Sequence, residues 1–102
     1  MATYIVIGNW TEKGAREYAN APTRARAVEA AAKAMGGRSV ATYWTMGQYD
    51  FVSIIEAPSA ESLAAGILAS GAAGTSRTMT MRAFDMSEME SIIATAKAAS
   101  GG

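Results

Sequence analysis

The chain contains neither cysteine nor histidine. That absence excludes disulfide staples, thiol nucleophiles, imidazole bases, Cys/His zinc sites and the commonest haem ligand together. Net charge is also absent, with nine basic residues against nine acidic ones. A chain so balanced projects no long-range positive field towards phosphate backbones or anionic lipid, so neither nucleic acid nor a membrane surface is an expected partner. No apolar run is long enough to span a bilayer, and the opening Met1 to Gly8 stretch lacks the basic flank of a signal peptide, so the expected address is cytoplasmic. The lack of cysteine fits a reducing compartment. There is no phosphate-cradling loop either: Gly71-Ala72-Ala73-Gly74 follows a helix-patterned segment, whereas such loops precede one.

What is present is apolar. Half of the 102 residues are hydrophobic and 18% are charged, a composition that packs a core and lies far from the disordered class. The length allows one core only, so residues 1–102 are read as a single domain with an ordered part of about 2–97.

Residues 3 to 10 are β-branched and aromatic, and Thr11 offers a cap oxygen ahead of Glu12, so a strand passes into a helix there. Asn20-Ala21-Pro22 interrupts that helix, and Pro22 suits the first turn of a second segment running to about Met35, on which Ala25, Val28, Ala32 and Met35 share a face. Gly36-Gly37 ends it. Residues 38–46 and 51–57 read as strands around the turn formers Gly47-Gln48-Tyr49-Asp50. Pro58-Ser59 opens a helix with Leu63, Ile67 and Leu68 at helical spacing, and residues 76–85 read as the last strand. Ser87 and Glu90, at capping-box spacing, mark the start of a final helix with Met89, Ile92, Ile93 and Ala96 in an apolar stripe.

The order βαββαβ predicts an α+β, ferredoxin-like fold: a four-stranded antiparallel sheet with two helices on one face, plus an extra C-terminal helix. Its strands are apolar on both faces, for Ile5 and Ile7 alternate with Tyr4, Val6 and Trp10, and Val52 and Ile54 alternate with Phe51 and Ile55. A sheet with one wet face alternates apolar with polar residues, so a second covering layer is required. Either the last helix folds back to supply it, or a second copy packs sheet against sheet with that helix bracing the partner; a homodimer or higher homo-oligomer is the expected state.

Gly47-Gln48-Tyr49-Asp50 followed by Phe51-Val52-Ser53-Ile54-Ile55-Glu56-Ala57-Pro58 resembles the GYD domain family, which takes its name from that Gly, Tyr and Asp. The opening Tyr4 to Gly14 segment is similar to the family's first strand and turn, and Arg77 to Phe84 to its last strand. Ala21-Pro22-Thr23-Arg24 resembles the family's Ser-Pro-x-Arg stretch with its first position changed to alanine, which removes any hydroxyl role there. The resemblance implies the dimeric α/β barrel, in which two ferredoxin-like sheets close across a two-fold axis. It implies little about activity, because related barrels include cofactor-free oxygenases, isomerases, haem enzymes and effector-binding domains.

Tyr49 and Asp50 are the candidate catalytic pair, a phenol and a carboxylate beside the hairpin. The competing reading has Gly47 in a turn conformation, Asp50 satisfying backbone donors and Tyr49 packing; both readings allow an Asp50–Arg82 pair. Trp10, Tyr43, Trp44 and Phe84 are candidates to line a pocket between sheet and helices, where Asn9, Thr80 and Arg82 would orient a small apolar or aromatic ligand. Core or interface packing is the alternative for those aromatics. Arg77 and Arg82, an odd number of positions apart, should face opposite sides of the sheet.

No cofactor and no metal site are expected. The seven methionines are read as adaptable packing, since copper would need histidine partners. The acidic pairs Glu12 with Glu17 and Glu88 with Glu90 are explained by helix starts and solvated faces. Three functions follow: a homo-oligomeric small-molecule-binding or assembly module of GYD type, a cofactor-independent oxygenase or isomerase using Tyr49 and Asp50, or the structural subunit of a ring or shell. Residue chemistry alone leaves open which of them holds.

Overall fold

The computed structural model describes residues 1–101. Strand β1 (Ala2–Trp10) leads to a short helix α1 (Glu12–Arg16), a 3-10 turn (Tyr18–Asn20) and helix α2 (Ala21–Ala34) with Pro22 in its first turn. Strands β2 (Arg38–Trp44) and β3 (Phe51–Ala57) form the hairpin, followed by α3 (Ala60–Ala72), β4 (Ser76–Ala83) and α4 (Met86–Ala99).

Each helix start has a local cause. Thr11 caps α1, its Oγ1 accepting from the Gly14 N–H at 3.2 Å while donating to the Gly74 carbonyl at 2.6 Å. Ser59 caps α3 by accepting from the Ser62 N–H at 3.1 Å. For α4 the cap is Asp85 rather than the expected Ser87. Asp85 Oδ1 accepts from the Glu88 N–H at 2.8 Å, and Glu88 Oε1 accepts from the Asp85 N–H at 3.0 Å. Both residue pairs have the required spacing, but Asp85 sits where the backbone is still extended, at φ −79° and ψ −180°. The last strand therefore ends at Ala83 instead of reaching Asp85, and β2 ends at Trp44, before Met46.

The sheet order is β2-β3-β1-β4, antiparallel throughout. Register sets both faces: Val6 lies between Ser53 and Thr80, and Ile5 between Ile54 and Met81. Towards the helices the central strands present Tyr4, Val6, Ser53, Ile55 and Ala57, and the core of Val6, Ile55, Ala57 and Leu63 forms there, flanked by Tyr4, Val28 and Ile67. Towards the other side they present Ile5, Ile7, Val52 and Ile54 beside Met79 and Met81 of β4 and Ala41 and Tyr43 of β2. Arg77 opposite Asn9 and Arg82 opposite Tyr4 take opposite faces, as strand alternation requires.

Helix α4 does not fold back over that second face. None of its residues is buried, and it has no substantial packing against any other element. The chain measures 55 × 31 × 20 Å with a radius of gyration of 15.9 Å, against about 13 Å for a compact chain of about 100 residues. Of the two sequence-level candidates for the covering layer, the chain's own last helix is thus excluded.

The tightest joint lies where α1 meets the entry to β4. The Thr75 carbonyl accepts from the Thr11 N–H at 3.1 Å, and a Cβ at Gly14 would collide with that same carbonyl oxygen. Because the obstacle is backbone, Gly14→Ala is expected to destabilise the fold by about 2 kcal/mol, read as a lowered urea midpoint with an unchanged slope.

Candidate functional site

The faces of α2 and α3 that look onto the sheet carry alanine and glycine at many positions, including Ala25, Ala31, Gly66 and Ala69. Leu63, Val28 and Ile67 set the distance of the helices from the strands, and the short side chains around them leave part of that space unfilled. The result is a cavity of about 620 Å³, walled by Val6, Trp10, Trp44, Phe51 and Ile55 from the sheet and by Val28, Leu63 and Ile67 from the helices. That volume falls within the range of small-molecule sites. Its polar residues are mainly hydroxyl-bearing, among them Thr42, Ser53, Ser62, Thr75 and Thr78, with Arg24 and Glu56 as the charged ones. Thr42 and Ser53 sit across from each other with hydroxyls 3.2 Å apart, and Arg24 lies on the α2 wall with Nη1 donating to the Glu17 carbonyl at 3.1 Å.

One end of the cavity wall is set by the hairpin. Asp50 Oδ2 accepts from the Trp10 N–H at 2.8 Å and the Asp50 N–H donates to the Gly8 carbonyl at 2.8 Å, so one residue ties the hairpin to β1 by side chain and backbone. Thr45 Oγ1 donates to the Tyr49 carbonyl at 2.6 Å, and Asn9 Nδ2 donates to the Gln48 carbonyl at 2.8 Å. Gly47 turns the chain with φ +118°. At Gly8 a Cβ would strike the Phe51 ring, so glycine there lets that ring lie across β1 as cavity wall.

The sequence candidates are therefore divided among five places. Trp10 and Trp44 meet at the cavity with Phe51. Asn9, Tyr49 and Asp50 gather at the hairpin, and every side-chain or carbonyl bond just described for Asn9 and Asp50 goes to backbone, while the Tyr49 carbonyl takes the Thr45 hydroxyl. Tyr43 is on the opposite face of the sheet, opposite Val52 and 60% exposed, because adjacent strand residues cannot share a face. Thr80 lies on the helix side of edge strand β4 opposite Val6.

Arg82 stands at the far end of β1, opposite Tyr4, whereas Asp50 bonds Gly8 and Trp10. Four to six residues of strand, roughly 13–20 Å, separate the two, so the anticipated Asp50–Arg82 pair does not form. Arg82 instead donates to Glu88 Oε2 at 2.9 Å and to the Thr3 and Ala83 carbonyls, and stacks its guanidinium 4.5 Å from the Phe84 ring centre. It is the strap between β4 and α4.

Among the described residues no three acidic side chains converge as a metal site, and no helix is long and apolar enough to cross a membrane. Sequence reasoning passed over Arg24, Thr42 and Ser53. Arg24 had a readable signal: it falls at helical spacing within the apolar stripe Ala21, Ala25, Val28 and Ala32, where a cation is out of place.

The GYD domain pattern matches residues 4–93. The chain belongs to the GYD domain family. A curated relative, the glutamine synthetase and cystathionine beta-lyase binding protein of Thermus thermophilus, is 33% identical over 90 residues, covering 87% of this chain and 95% of its own. The crystal structure of TTHA0845, also from Thermus thermophilus, superposes with a TM-score of 0.52 at 22% identity, covering 83% of this chain and 95% of that one, which supports the fold. Within the GYD segment itself, Gly47, Tyr49 and Asp50 shape and anchor a turn.

Two outcomes are expected. Asp50→Ala strands the Trp10 N–H and should lower unfolding free energy by about 1–3 kcal/mol, with Asp50→Asn losing less because an acceptor oxygen remains; urea melts of the three proteins check it. At the base of α4, the Asp85 N–H and then the Arg82 guanidinium hold the Glu88 carboxyl below its ordinary range. A lowered folded pKa gives stabilisation that is complete above the unfolded value and disappears as pH falls through the folded one. Protection factors in the first turn of α4, taken against the intrinsic exchange rate at each pH, should therefore fall on acidification below the ordinary glutamate range, and Glu88→Gln should diminish that fall.

Proposed function

We propose that this chain is a non-catalytic GYD module that works as a homodimer and binds other molecules, with the open sheet face and α4 forming the contact between copies. The observation that carries the reading is the pair of unpartnered apolar surfaces on one chain. The first is the open face, where Met79 and Met81 are 55% and 42% exposed beside Ile5 and Ile54. The second is the α4 arm, on which Met89, Ile92 and Ile93 are exposed and Phe84 with Ile92 and Ala96 borders an open groove. A two-fold operation lets each copy supply both surfaces to the other, which is how self-complementary patches close without leaving a remainder. The arm, at 14 residues and about 1.5 Å per residue, is about 21 Å long, enough to cross the partner's four strands at about 4.8 Å spacing.

In this reading the sheets form a dimeric α/β barrel and Tyr49 and Asp50 are architectural. Protein partners enter the proposal through the Thermus relative, whose name describes a protein that binds two enzymes. That relationship favours a binding role over a reaction for this chain.

Sedimentation at micromolar concentration tests the assembly. The unsubstituted protein is expected to run as a dimer. Ile54→Lys with Met81→Lys should shift it to monomer, and removal of the chain after Asp85 should weaken association by tenfold or more. A stable, well-folded monomer from the full chain would end the proposal.

A further inference from the structure

The cavity under α2 and α3 is lined by residues of a single chain, so its contents can be tested apart from the pairing of copies. Protein interiors are ordinarily filled to crystal-like density, whereas this cleft, half open to solvent, leaves apolar lining atoms uncovered that an occupant would pack against. Here the buried apolar residues are few and small, comprising Val6, Ile55, Leu63 and three alanines, and among the described residues no large side chain is fully buried. Three aromatic rings, Trp10, Trp44 and Phe51, border the space from the sheet.

Arg24 gives this space a chemical sign. Of its two terminal nitrogens Nη1 is held by the Glu17 carbonyl, while Nη2 is shielded from water and has no hydrogen-bond partner. An unsatisfied donor on a permanently charged group is among the least favourable features a protein can bury. Among the described residues no carboxylate answers it: the one acidic residue along the cavity, Glu56, has its Oε1 on Arg38 at 2.5 Å. The wall therefore carries one cation, Arg24, whose Nη2 is covered and unpartnered, together with hydroxyls that include Thr42, Ser53, Ser62, Thr75 and Thr78 and an apolar and aromatic remainder.

From these observations we infer that the cavity is a binding site for an apolar monocarboxylate, an aliphatic or aromatic acid whose carboxylate is held by Arg24 and whose body lies against Trp10, Trp44 and Phe51. A guanidinium fork matches a carboxylate in geometry as well as charge, and the occupant's hydrocarbon would replace the packing that the alanine-rich helices leave out.

Both tryptophans of the chain line the cavity, so their emission reports on it directly. Decanoate, decanol and decylamine, titrated into the full chain by calorimetry and tryptophan fluorescence, share a tail and differ in head-group charge. Decanoate is expected to bind one per chain, at least tenfold more tightly than decanol, with decylamine weakest. Arg24→Met should bring decanoate down to the affinity of decanol, whereas Arg24→Lys, which keeps the charge without the fork, should retain part of the preference. Gly66→Leu fills the cavity next to the flexible end of Met35, 3.3 Å from the new Cβ, and should abolish binding of all three. Equal affinities for decanoate and decanol, no binding of either, or an undiminished preference in Arg24→Met would overturn the site. A full chain that is monomeric yet binds decanoate would count against the assembly proposal alone.

Discussion

The constraint on which the rest depends is the two-residue period of β1 and β3 at the centre of the sheet. Because successive side chains point to opposite faces, a strand reading Tyr4-Ile5-Val6-Ile7 is apolar twice over. One set, with Val6 and Ile55, meets the helices and nucleates the core. The other, with Ile5 and Ile54, meets nothing in the same chain. Two helices on one side of a four-stranded sheet cannot cover the second face, and α4, the element that could have done so, leaves the sheet at Asp85 and points away. The exposed face thus follows from strand periodicity and from a cap placed two residues earlier than sequence spacing alone suggested.

Holding α4 away requires a rigid junction. Arg82 supplies one by combining a carboxylate contact to Glu88, carbonyl contacts on β1 and β4, and stacking on Phe84. Glu88 in turn bonds the Asp85 N–H, so strand end, turn and first helical turn are joined through three side chains. The exit direction of α4 is accordingly a property of the chain, whereas the stability of α4 along its length needs contacts it does not find within the chain.

Element order, strand centres and sheet class were legible because they rest on periodicity and capping, which are local. The hairpin strand Phe51–Ala57 and the cap at Thr11 could be read directly. What could not be read depended on distance across the sheet. Asp50 and Arg82 looked compatible as a charge pair, yet register places them at opposite ends of β1. Tyr43 and Trp44 were grouped as aromatics, although as neighbours in a strand they must part. Alanine favours a helix wherever it stands, while its steric consequence, space left unfilled between the larger side chains beneath α2 and α3, emerges only once those helices are set against the strands.

Both proposed sites share the same two strands as a wall. Val6 and Ile55 border the cavity while Ile5 and Ile54, one residue away, form the open face, and cross-strand pairing fixes all four at once. A slip of β3 by one residue against β1 would turn β3 over, placing Ile54 under the helices and Ile55 on the open face while β1 kept its own faces. Asp50 opposes that slip, since its side chain accepts from the Trp10 N–H and its own N–H donates to the Gly8 carbonyl, contacts that exist in one register only. A turn residue with no demonstrated chemistry of its own therefore determines which side chains face the cavity and which face a second copy.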